Sequence, residues 1–223
     1  MMVPNRVRNQ SSGVTLATAL MFASCGEHRP SPDASAIVAQ EAAVRAQMRS
    51  MPRDALSNFV RERSLEALQI ISASTSLSPF IDNLFAGDKP RVDIQLVGSA
   101  SKQAAAYGLA GFDGDAFTIT AETRKTGQPS SYTHTVYLED SCFTSRGRLI
   151  VVLSHELLHM QRRENGLPMT SLRDEEIAVF QNGIDLAEEL VRDNKVESTI
   201  AQEIRVALAT DRSTLARWLR APR

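Results

Sequence analysis

The segment from His155 to His159, which reads HELLH, constrains the fold of this 223-residue chain more than any other part of it. An apolar run from Leu149 to Leu153 precedes the segment, which indicates a helix packed in the core with one polar edge. Residues four positions apart share a helix face, so the imidazoles of His155 and His159 can meet at one metal ion. Glu156 lies one step around the helix, where its carboxylate can reach a metal-bound water. The segment therefore predicts a core helix that carries a metal site.

An ordinary buried helix is the competing interpretation of the same segment. In that case the two histidines would be satisfied by local hydrogen bonds. Burying two imidazoles and a carboxylate on an otherwise apolar helix is costly without a metal or polar partners. The pattern therefore favours a metal site.

The motif resembles the signature of zinc metallopeptidases, in which two histidines bind Zn²⁺ and the glutamate acts as general base. Position 165 is Asn, so the metzincin pattern with a third histidine six residues after the second is absent. The resemblance is to the gluzincin group, in which the next helix returns antiparallel and supplies a glutamate ligand. It implies a zincin-like fold, Zn²⁺ at His155 and His159, and Glu156 as the catalytic base for peptide-bond hydrolysis.

The third ligand is expected among three acidic residues at the start of the following helix, Asp174, Glu175 and Glu176. In the gluzincin group, a small residue commonly follows the ligand glutamate by three positions. Ala178 meets this condition for Glu175, whereas Val179 stands at the same distance from Glu176. The resemblance therefore favours Glu175 as the third zinc ligand and leaves Glu176 as the alternative. A helix dipole also favours acids in a first turn without any metal.

The N-terminal segment has the features of a signal peptide, predicted over residues 1–24. Arg6 and Arg8 precede a short apolar stretch, residues 13–22, that is too short to span a bilayer as a mature helix. The sequence of residues 22–25, Phe-Ala-Ser-Cys, resembles a bacterial lipobox, which implies a lipid on Cys25. Residues 25–35 are polar and contain prolines, as expected of a flexible tether. The predicted location is the bacterial cell envelope, lipid-anchored and facing the periplasm, with secretion as the alternative.

Residues 36–223 are predicted to form one α+β domain, with helical N- and C-terminal segments and a small mixed or antiparallel sheet packed against the motif helix. Helical patterns cover residues 36–50, 53–72, 145–163, a segment from Ser171 onward, and 195–221. Alternating or β-branched patterns predict strands at residues 91–97, 105–112, 116–121 and 132–138.

Several residues near the motif are further candidates for the site. His134, Tyr132 and Tyr137 are possible oxyanion donors, and the strand that carries them is a candidate edge for an extended peptide substrate. Cys142 could also be interpreted as a thiol nucleophile paired with a histidine, although a lone, partly buried cysteine is more often structural. The formal net charge is −1 and aromatic residues make up 5% of the chain, so nucleic acid is not an expected partner.

The sequence thus predicts a zinc metallopeptidase anchored as a cell-envelope lipoprotein, with a peptide or protein substrate and the membrane as its partners. Two alternatives stay open. One is a non-catalytic envelope lipoprotein that acts as a scaffold or binding module. The other is a zinc hydrolase that acts on a non-peptide amide, such as cell-wall material.

Overall fold

The computed structural model describes residues 32–109, 114–124, 126, 130–167 and 171–220. The predicted signal peptide, Cys25 and most of the predicted tether lie outside these residues; helix α1 begins at Pro32, within the last part of the tether. The described residues form seven α-helices and three strands: α1 Pro32–Ser50, α2 Arg53–Ile71, α3 Ser78–Phe85, β1 Val92–Val97, α4 Ala100–Ala106, β2 Ala116–Thr123, β3 Ser131–Glu139, α5 Arg146–Glu164, α6 Leu172–Arg192 and α7 Ser198–Arg220.

The three strands form a mixed sheet in the order β1-β3-β2, in which β1 is parallel and β2 antiparallel to β3. Side chains alternate between its two faces. Val136 and Leu138 point into the main core with α5, whereas Phe117 and Tyr137 form a smaller cluster with Ala104 of α4. The sheet therefore lies between the motif helix and α4, and the predicted α+β class is confirmed.

Two local predictions are wrong. The strand expected at residues 105–112 begins inside helix α4, and residues 110–112 lie outside the described part of the chain. The Ser99 hydroxyl caps the N-terminus of α4 by accepting a hydrogen bond from the Lys102 N–H at 3.3 Å. Strand β3 is the middle strand of the sheet, so it is hydrogen-bonded on both sides and cannot be the edge along which a peptide adds. Its two neighbours, β1 and β2, are the edge strands of the described sheet.

Helix α5, which carries the motif, is the centre of the domain. The Ser145 hydroxyl caps it by accepting a hydrogen bond from the Arg148 N–H at 3.0 Å. The helix is buried on nearly all sides and packs against α2, α6, α7 and strand β2. None of the helices described here has both the length and the hydropathy needed to cross a bilayer.

The first turn of α5 lies against α7 at Gly147. Its N–H donates a hydrogen bond to the Glu203 carboxylate at 2.9 Å. A Cβ atom added to Gly147 would lie 2.4 Å from the Ile204 backbone nitrogen, which is far inside van der Waals contact. Only glycine therefore allows α5 and α7 to approach this closely.

We predict that Gly147→Ala lowers the free energy of unfolding by about 3 kcal/mol, because backbone rather than a flexible side chain would have to move. Gly98→Ala is the matched control, since a Cβ there would meet nothing within 4 Å. Urea unfolding of both variants measures the difference. Equal stabilities for the two variants would contradict the close approach of α5 and α7.

Candidate metal centre

The two motif histidines face each other across one turn of α5. Their Nε2 atoms are 3.2 Å apart, and their ring centroids are 4.8 Å apart. His155 is buried, and the His159 side chain is 11% exposed. Two neutral imidazoles that both present lone pairs at this distance repel each other unless a proton or a cation lies between them.

Glu176 of α6 closes the cluster from the opposite side. One of its carboxylate oxygens is 3.4 Å from His159 Nε2, and the other is 3.6 Å from His155 Nε2. The residue is fully buried, and neither oxygen has a hydrogen-bond partner among the described residues. One donor atom from each of the three residues lies within 4.8 Å of the other two. The three side chains therefore form a compact, water-excluded set of metal-ligand groups.

Glu175, the third ligand that the sequence favoured, has different partners. Arg162 Nε donates to both of its carboxylate oxygens, at 3.0 and 2.9 Å. The same carboxylate lies 3.3 Å from His159 Nδ1, the ring nitrogen that faces away from His155. A carboxylate accepts, so this contact places the proton of neutral His159 on Nδ1 and leaves its Nε2 lone pair free.

The geometry therefore favours Glu176 over Glu175 as the third donor. Adjacent helix residues point about 100° apart, so only one of the two can face the Nε2 atoms. Glu176 begins the apolar stripe that continues through Val179, Phe180 and Gly183, and this stripe packs in the core. The position of Ala178 does not decide which glutamate turns inward.

The motif glutamate is held by the sheet. The Thr118 hydroxyl of β2 donates a hydrogen bond to Glu156 Oε2 at 2.7 Å, and both side chains are buried. The second oxygen, Oε1, has no hydrogen-bond partner among the described residues. One oxygen of Glu156 is thus fixed by the sheet, and the other accepts no hydrogen bond from the described residues.

Burial determines the electrostatics of the cluster. It lowers the pKa of His155, and it lowers the pKa of His159 to about 4, so both imidazoles are neutral at pH 7. Burial also raises the pKa of Glu156, and burial together with the charge of Glu175 raises the pKa of Glu176 to about 9. Without a cation beside it, the Glu176 carboxyl group is therefore protonated and neutral at pH 7.

Glu175 behaves differently although it is also buried. Burial acts to raise its pKa, but hydrogen bonds from His159 and Arg162 outweigh this effect and lower the pKa below its usual value. Glu175 is therefore an ionised group with satisfied oxygens, whereas Glu176 is a carboxyl group without a hydrogen-bond donor. Glu175 can therefore orient His159 through a hydrogen bond, whereas Glu176 has the properties of a metal ligand.

The spacing of the two imidazole nitrogens is close to that of ligands on a tetrahedral metal. Two ligands that each lie about 2.0–2.1 Å from a tetrahedral zinc are separated by about 3.3 Å. The two Nε2 atoms are 3.2 Å apart. The contacts of 3.4 and 3.6 Å run to different oxygens of Glu176, and one donor atom from each of the three side chains lies within 4.8 Å of the other two. Two neutral imidazoles and one carboxylate are also a donor set that zinc accepts at catalytic sites.

The predicted oxyanion donors do not face this cluster. His134 is buried between Thr120, 2.9 Å from its Nδ1, and Glu164, 2.8 Å from its Nε2. The Tyr137 hydroxyl pairs with Tyr107 at 2.6 Å on the opposite face of the sheet. Tyr132 donates to Glu122 at 3.3 Å. All three side chains instead form hydrogen bonds within the sheet or between the sheet and the neighbouring segments that carry Tyr107 and Glu164.

Cys142 is fully buried just before α5. Burial raises the pKa of its thiol to about 12, so the thiol stays protonated at neutral pH. Its Sγ donates to the Asp115 carbonyl at 3.5 Å. These properties are those of a structural cysteine, which is the interpretation that the sequence favoured, and they oppose a role as nucleophile.

Three residues of the site were not identified from the sequence. Thr118 carries no motif, and only the pairing of β2 against α5 brings it to Glu156. Arg162 follows His159 by three positions on the same helix face, which is a signal that the sequence did contain. Asp211 of α7 is buried, with its pKa raised to about 6 by burial, and its charge acts on His155.

Comparison of the chain with protein-family models, with curated proteins and with solved structures found no match.

Proposed function

We propose that this protein is a zinc-dependent metallopeptidase in which His155, His159 and Glu176 bind the metal. The observation that carries this proposal is the convergence of two neutral imidazoles and one fully buried carboxyl group without a hydrogen bond, with one donor atom from each within 4.8 Å of the other two. The HELLH sequence supports the choice of reaction, because it adds a glutamate next to the first ligand. Glu176 takes the role for which Glu175 was the sequence-based candidate.

Zinc held at this site would lower the pKa of a coordinated water toward neutrality and polarise the scissile carbonyl group. Glu156 acts as the general base: its free oxygen, Oε1, takes a proton from the attacking water and passes it to the leaving amine. The hydrogen bond from Thr118 to Oε2 fixes the rotamer of the base. Thr118 is thus a positioning residue for Glu156.

Glu175 and Arg162 hold the second histidine in its ligand form. Glu175 accepts the Nδ1 proton of His159, which directs the Nε2 lone pair toward Glu176. Arg162 in turn holds the carboxylate of Glu175 through contacts to both of its oxygens. Partners of this kind fix the tautomer and the ring orientation of a metal-binding histidine.

A non-catalytic metal site is the second candidate function, and the burial of the cluster favours it. His155, Glu156 and Glu176 are each at most 1% exposed, and only the edge of His159 reaches solvent. A site of this kind would stabilise an envelope scaffold or binding module. Hydrolysis of a non-peptide amide uses the same groups as the proposed reaction and is distinguished by its substrate.

The lipobox-like sequence at residues 22–25 supports a location in the cell envelope. We propose that the signal segment, residues 1–24, is removed and that Cys25 carries the lipid. The domain would then act on peptide or protein substrates near the membrane.

We predict about one zinc per chain in the wild type after zinc is added and excess metal is removed. Glu176→Gln should abolish stoichiometric binding, whereas Glu175→Gln should weaken it by about 10–100-fold, as expected for a residue that orients a ligand. Elemental analysis and competition with a chelator measure both effects. Zinc retained by Glu176→Gln but lost by Glu175→Gln would restore Glu175 as the ligand.

The same two variants should differ in the stability of the metal-free protein. Glu176→Gln replaces a buried, neutral carboxyl group that has no hydrogen bond, so its melting temperature in chelator should stay close to that of the wild type. Glu175→Gln leaves Arg162 without its ionised partner and should melt lower. A large loss of stability in metal-free Glu176→Gln would contradict the unpaired state of that carboxylate.

We predict that Glu156→Gln keeps its zinc and lowers kcat for casein hydrolysis by about 10²–10⁴-fold, because it removes the general base. Thr118→Val should lower kcat by about tenfold with little change in KM, while Thr118→Ser retains activity. Zinc content and melting temperature serve as controls for folding. A zinc-loaded wild type that cleaves neither casein nor cell-wall amides would favour the non-catalytic metal site.

We predict that Cys25→Ser abolishes lipid attachment when the full chain is expressed in a bacterium. Mass spectrometry of the purified protein and its partition into detergent measure this change. Cys142→Ser is the matched control, because the buried thiol of Cys142 is not accessible for modification. Equal partition of both variants into detergent would contradict lipidation at Cys25.

A further inference from the structure

A groove of about 580 Å³ runs between helix α2 and strand β1. One wall is a face of α2 with residues at helical spacing, and the other consists of five consecutive residues, Val92 to Leu96. Consecutive strand residues alternate between the two faces of a sheet. A groove that they all line therefore runs along the edge of β1 and not across one face.

The main chain of β1 is open on this side. The His134 N–H of β3 donates to the Arg91 carbonyl at 2.8 Å, which fixes the side of β1 that pairs with β3. In a parallel pair, alternate residues direct their N–H and C=O groups to opposite sides. Val92, Ile94 and Leu96 thus direct theirs toward the outer edge, where the described sheet has no further strand. An unpaired edge of this kind is a template for an added strand.

Ser64 gives a second indication of a ligand. It lines the groove from α2 and is 4% exposed, yet its hydroxyl has no hydrogen-bond partner in the described part of the chain. Buried hydroxyl groups are normally paired, because an unpaired one costs about 1–3 kcal/mol. A polar group entering the groove would satisfy it.

The groove also combines exposed apolar side chains with positive charge. Leu65 and Phe85 line it, and both are exposed large hydrophobic residues. Its charged lining residues are Arg53, Arg61 and Asp93, an excess of one positive charge. Neither arginine forms an ion pair within the described residues, whereas the Asp93 carboxylate accepts a hydrogen bond from Gln95. The groove therefore suits a ligand with apolar and acidic side chains.

We propose that this groove binds an extended acidic segment of a partner protein, which adds as a strand to the open edge of β1. Main-chain hydrogen bonds to β1 supply affinity, apolar side chains contact Leu65 and Phe85, and carboxylates pair with Arg53 and Arg61. Strand β1 spans six residues, so the bound segment is of similar length.

The proposed docking groove is separate from the candidate metal centre. None of its lining residues belongs to the metal centre, and β3 separates β1 from β2, the strand that holds Glu156. Binding in the groove therefore does not depend on zinc or on peptidase activity. It can be tested whether or not the proposed reaction is correct.

The test uses the full-length chain and a fluorescein-labelled octapeptide that alternates valine and glutamate. Fluorescence anisotropy should show saturable binding that is weakened at least tenfold by Leu65→Asp and by Arg61→Glu. Leu219→Asp and Arg205→Glu are matched controls, because both residues are exposed on α7 and lie outside the groove. A valine–lysine octapeptide should bind at least tenfold more weakly, and so should a valine–glutamate octapeptide with alternate N-methylated amides.

Equal binding by Leu65→Asp and Leu219→Asp, or by the N-methylated and unmodified peptides, would overturn the proposal. Displacement of the probe by a synthetic peptide of residues 20–35 would reassign the groove to this chain's own N-terminus. Concentration-dependent dimerisation that Leu65→Asp abolishes would reassign it to a second copy. Either reassignment would overturn the assignment to a partner protein.

Discussion

Burial of ionisable groups between α5 and α6 is the constraint on which the rest of the structure depends. Two imidazoles and the carboxylates of Glu156 and Glu176 lie where water is largely excluded. Such burial opposes folding unless each group becomes neutral or gains a partner. The surrounding core offsets this cost by packing apolar side chains of α2, α6, α7 and the sheet around α5. The candidate metal centre therefore requires the whole domain and not only its motif helix.

The acidic groups of the site have been stabilised to different degrees. Glu175 is ionised because Arg162 and His159 satisfy its oxygens, and one oxygen of Glu156 is satisfied by Thr118. Glu176 receives no such hydrogen bond. A protein that only needed to stabilise its fold would gain by pairing or replacing this carboxyl group. The presence of this carboxyl group between two neutral histidines is explained if a cation bound by all three side chains is its partner.

Local signals in the sequence were sufficient for much of this architecture. The apolar run before His155 identifies α5, alternation identifies β1 and β2, and aromatic and β-branched residues identify β3. Helix α4 was missed because its alanine-rich sequence is short and its start depends on the Ser99 cap. Thr118 was missed for a different reason: its role arises from strand order and from the side of β2 that faces α5, and neither is encoded within a few residues of position 118.

The choice between Glu175 and Glu176 shows where local patterns stop being sufficient. The expected small residue at position 178 is only half-buried, whereas Gly183 is buried against α5, and a Cβ atom there would be in ordinary van der Waals contact with the Leu158 side chain at 3.7 Å. Gly183 follows Glu176 by seven residues, two turns along the same stripe, so the face that packs on α5 is also the face that carries Glu176. Glu175 lies one step around the helix, where Arg162 can reach it. Packing of the whole helix, rather than the residue three positions away, thus determines which glutamate faces the histidines.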